Sequence, residues 1–126
     1  MKTLSNIRFH GTLLFYKLLY DKLPAISQEP SVIYNNVILK ARDPAHIETL
    51  KALLTTQAQV SLTEQGCQRF EVYHSEAEPE VFLLVEWWET QADLDAHRNA
   101  AHFVNVYRPQ VIPLVERIPH PSQRLA

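Results

Sequence analysis

The sequence predicts an α+β fold of the ferredoxin-like type, with elements in the order βαββαβ on one antiparallel sheet. Three observations carry that prediction. Residues 81–88, VFLLVEWW, are a run of β-formers too short to cross a membrane. Residues 32–42 and 67–74 alternate apolar and polar side chains with the period of two that a strand imposes. Finally, Asp43-Pro44 and Thr90-x-x-Asp93 each open a stretch with helical apolar spacing.

The first 30 residues read as an extension rather than part of that domain. They comprise a polar start, an apolar segment at residues 13–23 (LLFYKLLYDKL) and the linker PAISQEP. Phe15, Tyr16, Leu19 and Leu23 fall on one side and Lys17, Asp21 and Lys22 on the other, the pattern of an amphipathic helix. Lys17 interrupts the run and no small-residue cleavage site follows closely, so a secretory leader fits poorly and packing on protein is expected. Residues 31–126 then form a single domain of ordinary size.

The domain begins with VIYNNVILKAR, where Ile33, Asn35, Val37, Leu39 and Ala41 share the core-facing row. Asp43 as N-cap and Pro44 at the first helical position start a helix with the apolar stripe Ile47, Leu50, Leu54 and Ala58. It is expected to run to about Glu64, where Gly66 ends it. CQRFEVYH follows as a strand, and a polar turn around Pro79 leads into residues 81–88, both of whose faces are expected to be buried. Beyond Thr90 the second helix passes through Leu94, His97, Arg98 and Ala101, and a short helical segment spans residues 102–108. The β-branched run 111–118 is the last strand, held to an edge by Pro109, Pro113 and Pro119.

Composition narrows the function. With 12 basic and 14 acidic residues and a net charge of -2, the chain has no basic surplus for a phosphate backbone, so nucleic acid is not an expected partner. Its two glycines are too few for a dinucleotide or nucleotide phosphate loop. No serine-hydrolase elbow or zinc-protease motif occurs, and one cysteine, Cys67, allows no internal disulfide and agrees with a cytoplasmic location. No metal or other cofactor is expected. Two helices would cover one sheet face, leaving Val81, Leu83, Val85 and Trp87 bare on the other. A homodimer through that face is therefore expected.

Within the central strand Phe82, Leu84, Glu86 and Trp88 point the same way, which places one carboxylate in an apolar row. His97 follows one strand-to-helix turn later. Glu64-Gln65-Gly66-Cys67, the run from Phe82 to Glu89, and Leu94-Asp95-Ala96-His97 followed by Ala101-His102-Phe103 together resemble the antibiotic biosynthesis monooxygenase domain family over roughly residues 32–116. That resemblance implies a dimeric α+β barrel, and the family includes cofactor-free quinol monooxygenases. Its recurrent strand carboxylate and helix histidine fall on Glu86 and His97. A heme-degrading branch is also similar, through Asn35 or Asn36. The chain departs from that branch at the tryptophan and histidine of its second helical region, where His97 and Tyr107 stand and only His102 offers a substitute ligand.

A deprotonated quinol is electron-rich enough to reduce dioxygen, so such an enzyme needs a base, a dry pocket and donors for the developing anion. Histidine titrates in the right range, and the expected arrangement has His97 as base with Glu86 orienting its ring. Phe70, Trp88, Phe103 and Tyr107 are the expected walls for a small aromatic molecule, and Asn35 a hydrogen-bonding group. A dimeric module that binds a hydrophobic small molecule without turning it over is the alternative, and heme binding a third.

Overall fold

The computed structural model describes residues 32–126; the amphipathic helix expected over residues 13–23 lies outside them. Four strands, β1 (Ile33–Ala41), β2 (Cys67–His74), β3 (Val81–Trp88) and β4 (Val115–Ser122), form one antiparallel sheet in the order β2-β3-β1-β4. The β1–β2 connection carries a short 3-10 turn, Pro44–His46, and helix α1 (Ile47–Ser61); the β3–β4 connection carries helix α2 (Gln91–Asn99) and a π-helix, Phe103–Val111. This is the expected ferredoxin-like arrangement. Among the described residues no helix is long and apolar enough to cross a membrane.

Register decides what the interior contains. Phe70, Glu86 and Asn35 align across β2, β3 and β1, as do Val72, Leu84 and Val37. Because aligned residues share a face, both rows look inward to α1 and α2. Leu50 and Leu54 of α1, Leu94 of α2 and Tyr107 and Val111 of the π-helix close the core over them. The opposite face carries a row through all four strands, Tyr73, Leu83, Ile38 and Ile118. Three of these are 48%, 40% and 38% exposed (Tyr73, Leu83, Ile118), so within a single chain the outer face of β3 is not buried as expected.

Element boundaries follow local chemistry. Asp43 Oδ1 accepts from the Ala45 amide at 2.9 Å, capping the 3-10 turn that precedes α1. Thr90 Oγ1 accepts from the Asp93 amide at 3.1 Å and donates to Asp93 Oδ2 at 2.9 Å, the expected box with the shorter acid. Helix α1 ends at Ser61, short of Glu64, and α2 ends at Asn99, because Ala100 is already extended; Ala101 is therefore not part of it. The last strand starts at Val115, not Val111: Pro109 sits inside the π-helix and Pro113 in a second 3-10 turn, Ile112–Leu114. It continues through Pro119 and Pro121, which lie two apart and so turn their missing N–H groups to the same edge of an edge strand.

Gly66 turns the chain from α1 into β2 at φ +78°. Its carbonyl accepts from the Glu89 amide at 2.7 Å, and a Cβ placed there would lie 2.1 Å from Asp93 Oδ2. The turn thus rests directly on the cap of α2. Gly66→Ala should destabilise the fold by at least the roughly 1–3 kcal/mol of a strained backbone, with the clash in addition. Urea unfolding that matches wild type would show that the contact with Asp93 is unimportant.

Candidate active site

Between the inner sheet face and its covering helices lies a cavity lined by Asn35, Gln57, Phe70, Leu84, Glu86, Leu94, His97, Arg98, Phe103, Tyr107 and Arg117. Six of the seven residues expected at the site, Asn35, Phe70, Glu86, His97, Phe103 and Tyr107, are among them. Trp88 is not. It is wholly buried behind His97, its ring centroid 4.5 Å from the imidazole, and it backs the site instead of walling it. Phe103 at 5.4 Å and Phe70 at 5.8 Å complete an aromatic surround for the ring. The considered iron ligand His102 does not line the cavity.

The partner of His97 differs from the expected one. Glu86 does not touch the imidazole: Asn35 Nδ2 donates to its Oε2 at 3.2 Å and the Trp88 indole N–H to its Oε1 at 3.1 Å. His97 Nδ1 lies 2.6 Å from Glu64 Oε1, and the histidine side chain is 4% exposed against 18% for the glutamate. The reason is geometric. The two oxygens of Glu86 are taken by Asn35 across the strands and Trp88 two residues on, whereas Glu64, in the turn between α1 and Gly66, meets His97 in the last turn of α2. An ionised carboxylate can only accept, so Nδ1 carries a hydrogen, and in the neutral tautomer that this selects the lone pair is on Nε2. Among the described residues Nε2 has no hydrogen-bond partner.

Burial pushes the Glu86 carboxyl above its ordinary range, opposed by the Trp88 hydrogen bond and by the nearby His97, Arg117 and Arg98. Burial also raises the Tyr107 phenol, against the pull of Arg117, whose Nε donates to the phenol oxygen at 3.2 Å. With its oxygen so engaged, Tyr107 keeps its own hydrogen to donate. The π-helix aids this placement: its widened turn sets Phe103 and Tyr107 together, ring centroids 4.9 Å apart. Cys67, half-buried near Glu64 and Glu86, has its thiol pushed up to about 11, mainly by burial, and is a poor nucleophile.

The cavity holds only about 10 Å³, near the minimum for one water. An apolar cavity of about 150 Å³ takes benzene, so an aromatic ligand enters only after the surrounding side chains move. A larger open cleft of about 900 Å³ runs beside Tyr34, Gln91 and residues 121–126. It lacks a buried acid or base. No group of three or more metal-ligating side chains converges among the described residues.

Comparison with known proteins agrees with this fold. Residues 33–108 match the sequence profile described as Antibiotic biosynthesis monooxygenase. The chain belongs to the antibiotic biosynthesis monooxygenase family. A Mycobacterium tuberculosis protein named "Putative monooxygenase Rv0793" is 35% identical over 68 residues, which cover 54% of this chain and 65% of that protein. Its solved structure superposes with a TM-score of 0.64 at 27% identity, covering 76% of this chain and 100% of the other. The Synechocystis protein sll1783 is 32% identical over 77 residues, covering 61% of this chain and 50% of its own length. The matched stretch thus spans half to about two-thirds of these two curated relatives.

Sequence reasoning about this family member missed Gln57, Arg98, Arg117 and Glu64. Glu64 was within the quoted Glu64-Gln65-Gly66-Cys67 run, and its nearness to the turn was the available signal. Arg117 was on the last strand, where an inward arginine is revealed only by the register of β4 on β1.

The raised carboxyl of Glu86 has a consequence for stability. A group whose folded-state pKa exceeds its unfolded value stabilises most below the unfolded pKa, and that contribution is lost as pH rises through the folded pKa. Glu86→Gln removes the titration. Its stability relative to wild type should therefore improve as pH rises above the ordinary carboxyl range in paired urea titrations; a difference that stays constant with pH would show that burial does not raise the Glu86 carboxyl.

Proposed function

We propose that the protein is a cofactor-independent monooxygenase that oxidises a quinol-like or polyketide-like aromatic with dioxygen. The observation that carries this reading is the buried His97 at the cavity, with Nδ1 on Glu64 and Nε2 uncommitted. Nε2 takes the proton of an aromatic hydroxyl, and Glu64 stabilises the imidazolium that results. Tyr107, Arg117 and Arg98 supply a donor and positive charge for the phenolate. Phe70, Phe103 and Leu94 keep water from it.

The electron-rich ring then transfers one electron to dioxygen, and the superoxide and aryloxyl radical so formed combine at a ring carbon. Protonation of the peroxide and loss of water leave a carbonyl on that carbon. One oxygen atom enters the product, the other leaves in water, and the substrate gives up two hydrogens. The protein's contribution is deprotonation, orientation and exclusion of solvent.

His97→Ala should lower kcat for a quinol or anthrone-like substrate by about 10² to 10⁴, the usual scale for loss of a general base, with a much smaller change in substrate affinity. Glu64→Gln should lower kcat as well, while Trp88 and the fold remain intact by circular dichroism. A base must be unprotonated to act, so the wild-type rate rises with pH. Stoichiometric oxygen uptake should persist in chelator. Equal turnover by wild type and His97→Ala would remove the base, and no oxygen uptake across quinols and naphthols would favour a binding module.

The same reading includes a homodimer through the outer sheet face, supported by the exposed row Tyr73, Leu83 and Ile118. An apolar row across four strands is costly in water and is covered by a second copy of the sheet. Leu83→Asp, at the centre of this row, should shift the sedimentation coefficient from dimer to monomer. Wild type sedimenting as a monomer at micromolar concentration would overturn the assembly.

A further inference from the structure

Four buried polar atoms lack a hydrogen-bond partner among the described residues: His46 Nδ1, Gln57 Oε1, Ser61 Oγ and His102 Nε2. Of these residues only Gln57 lines the cavity, and its side chain is 1% exposed. It stands in the buried stripe of α1, Leu50, Leu54, Gln57 and Ser61, where a leucine or methionine would pack without an unpaired group. A buried amide oxygen with no donor is costly. The fold therefore carries at this position an acceptor that it does not use itself.

The chemistry of the lining says what would use it. Arg98, Arg117 and Tyr107 are donors, and the two oxygens of Glu86 are engaged by Asn35 and Trp88. Besides Asn35 Oδ1 on the sheet, two acceptors remain uncommitted on the covering helices, His97 Nε2 on α2 and Gln57 Oε1 on α1. A ligand that satisfies both brings two O–H groups. We propose that Gln57 determines specificity by accepting a hydrogen bond from a second hydroxyl of the substrate, so that the site selects dihydroxyaromatic compounds over monohydroxy ones. The inference rests on the reading of the cavity as the site of a quinol-type monooxygenase. A monohydroxy analogue would bury the amide oxygen still unpaired, which is the situation in which hydrogen-bonding sites discriminate strongly.

The test measures binding without turnover. The full chain is titrated calorimetrically under anaerobic conditions with 1,4-naphthohydroquinone and with 1-naphthol, as wild type and as Gln57→Met, which keeps length and volume but removes the acceptor. Wild type should bind the diol about 10- to 100-fold more tightly. Gln57→Met should lose that factor on the diol alone, leaving 1-naphthol affinity unchanged, so that the variant-by-ligand cycle isolates the hydrogen bond. Without ligand the variant should be at least as stable in urea as wild type. An equal diol preference in both proteins, or no preference in wild type, overturns the assignment of Gln57 while leaving the monooxygenase reading intact. A clear loss of stability in Gln57→Met also overturns it, because the amide would then serve the fold, for instance through a single trapped water. Failure of wild type to bind either compound overturns this inference together with the reading beneath it.

Discussion

A carboxylate on the inner face of a sheet is the constraint around which this domain is arranged. Glu86 sits between Leu84 and Trp88 on the central strand, and a charge there has lost most of its hydration. The structure answers with two donors fixed by β geometry: Asn35, directly across on β1, and Trp88, two residues on along β3. Both are themselves buried, so each solution requires the next. Asn35 needs an acceptor amid Val37 and Leu39, and the Trp88 indole needs one behind the imidazole. The polar groups of the interior thus form a connected set, and the apolar core is packed around it.

The second structural dependency runs through the turn at Gly66. That one residue ends the α1 connection, accepts the Glu89 amide and leaves room for Asp93 in the cap of α2. Because the turn and α2 are in contact, Glu64 on one side reaches His97 on the other, across 33 positions of sequence. The Glu64–His97 contact and the backbone conformation meet at a glycine that carries no side chain of its own.

Much of this was legible before any coordinates. Period-two patterning puts Asn35 on the core-facing row of its strand and Glu86 in an apolar row of the central strand, and helical spacing with the Thr90 cap places His97 one turn beyond it. Other features depend on information that a linear pattern does not hold. The Glu64–His97 bond arises from how a turn and a helix end meet in space. The π-helix at Phe103–Val111 has a wider turn, and so a longer period, than the one used to read α-helices, and its Pro109 argues locally against any helix. The inward Arg117 needed the register of β4, and the place of Trp88 behind His97 was not legible because strand alternation tells which face a side chain is on, not whether it reaches open space. The size of the cavity is a property of packing alone.

That size has a kinetic and thermodynamic meaning. A space of about 10 Å³ cannot be the state that meets an aromatic ligand. For the aromatic substrate proposed above, the binding-competent state would be a minor population of the empty protein, and each apparent dissociation constant would equal the intrinsic one divided by its fraction. Two ligands with the same contacts then differ in affinity by the distortion each demands. Observed association rates level off at high ligand concentration when opening precedes entry, at a ceiling set by the protein and common to all ligands.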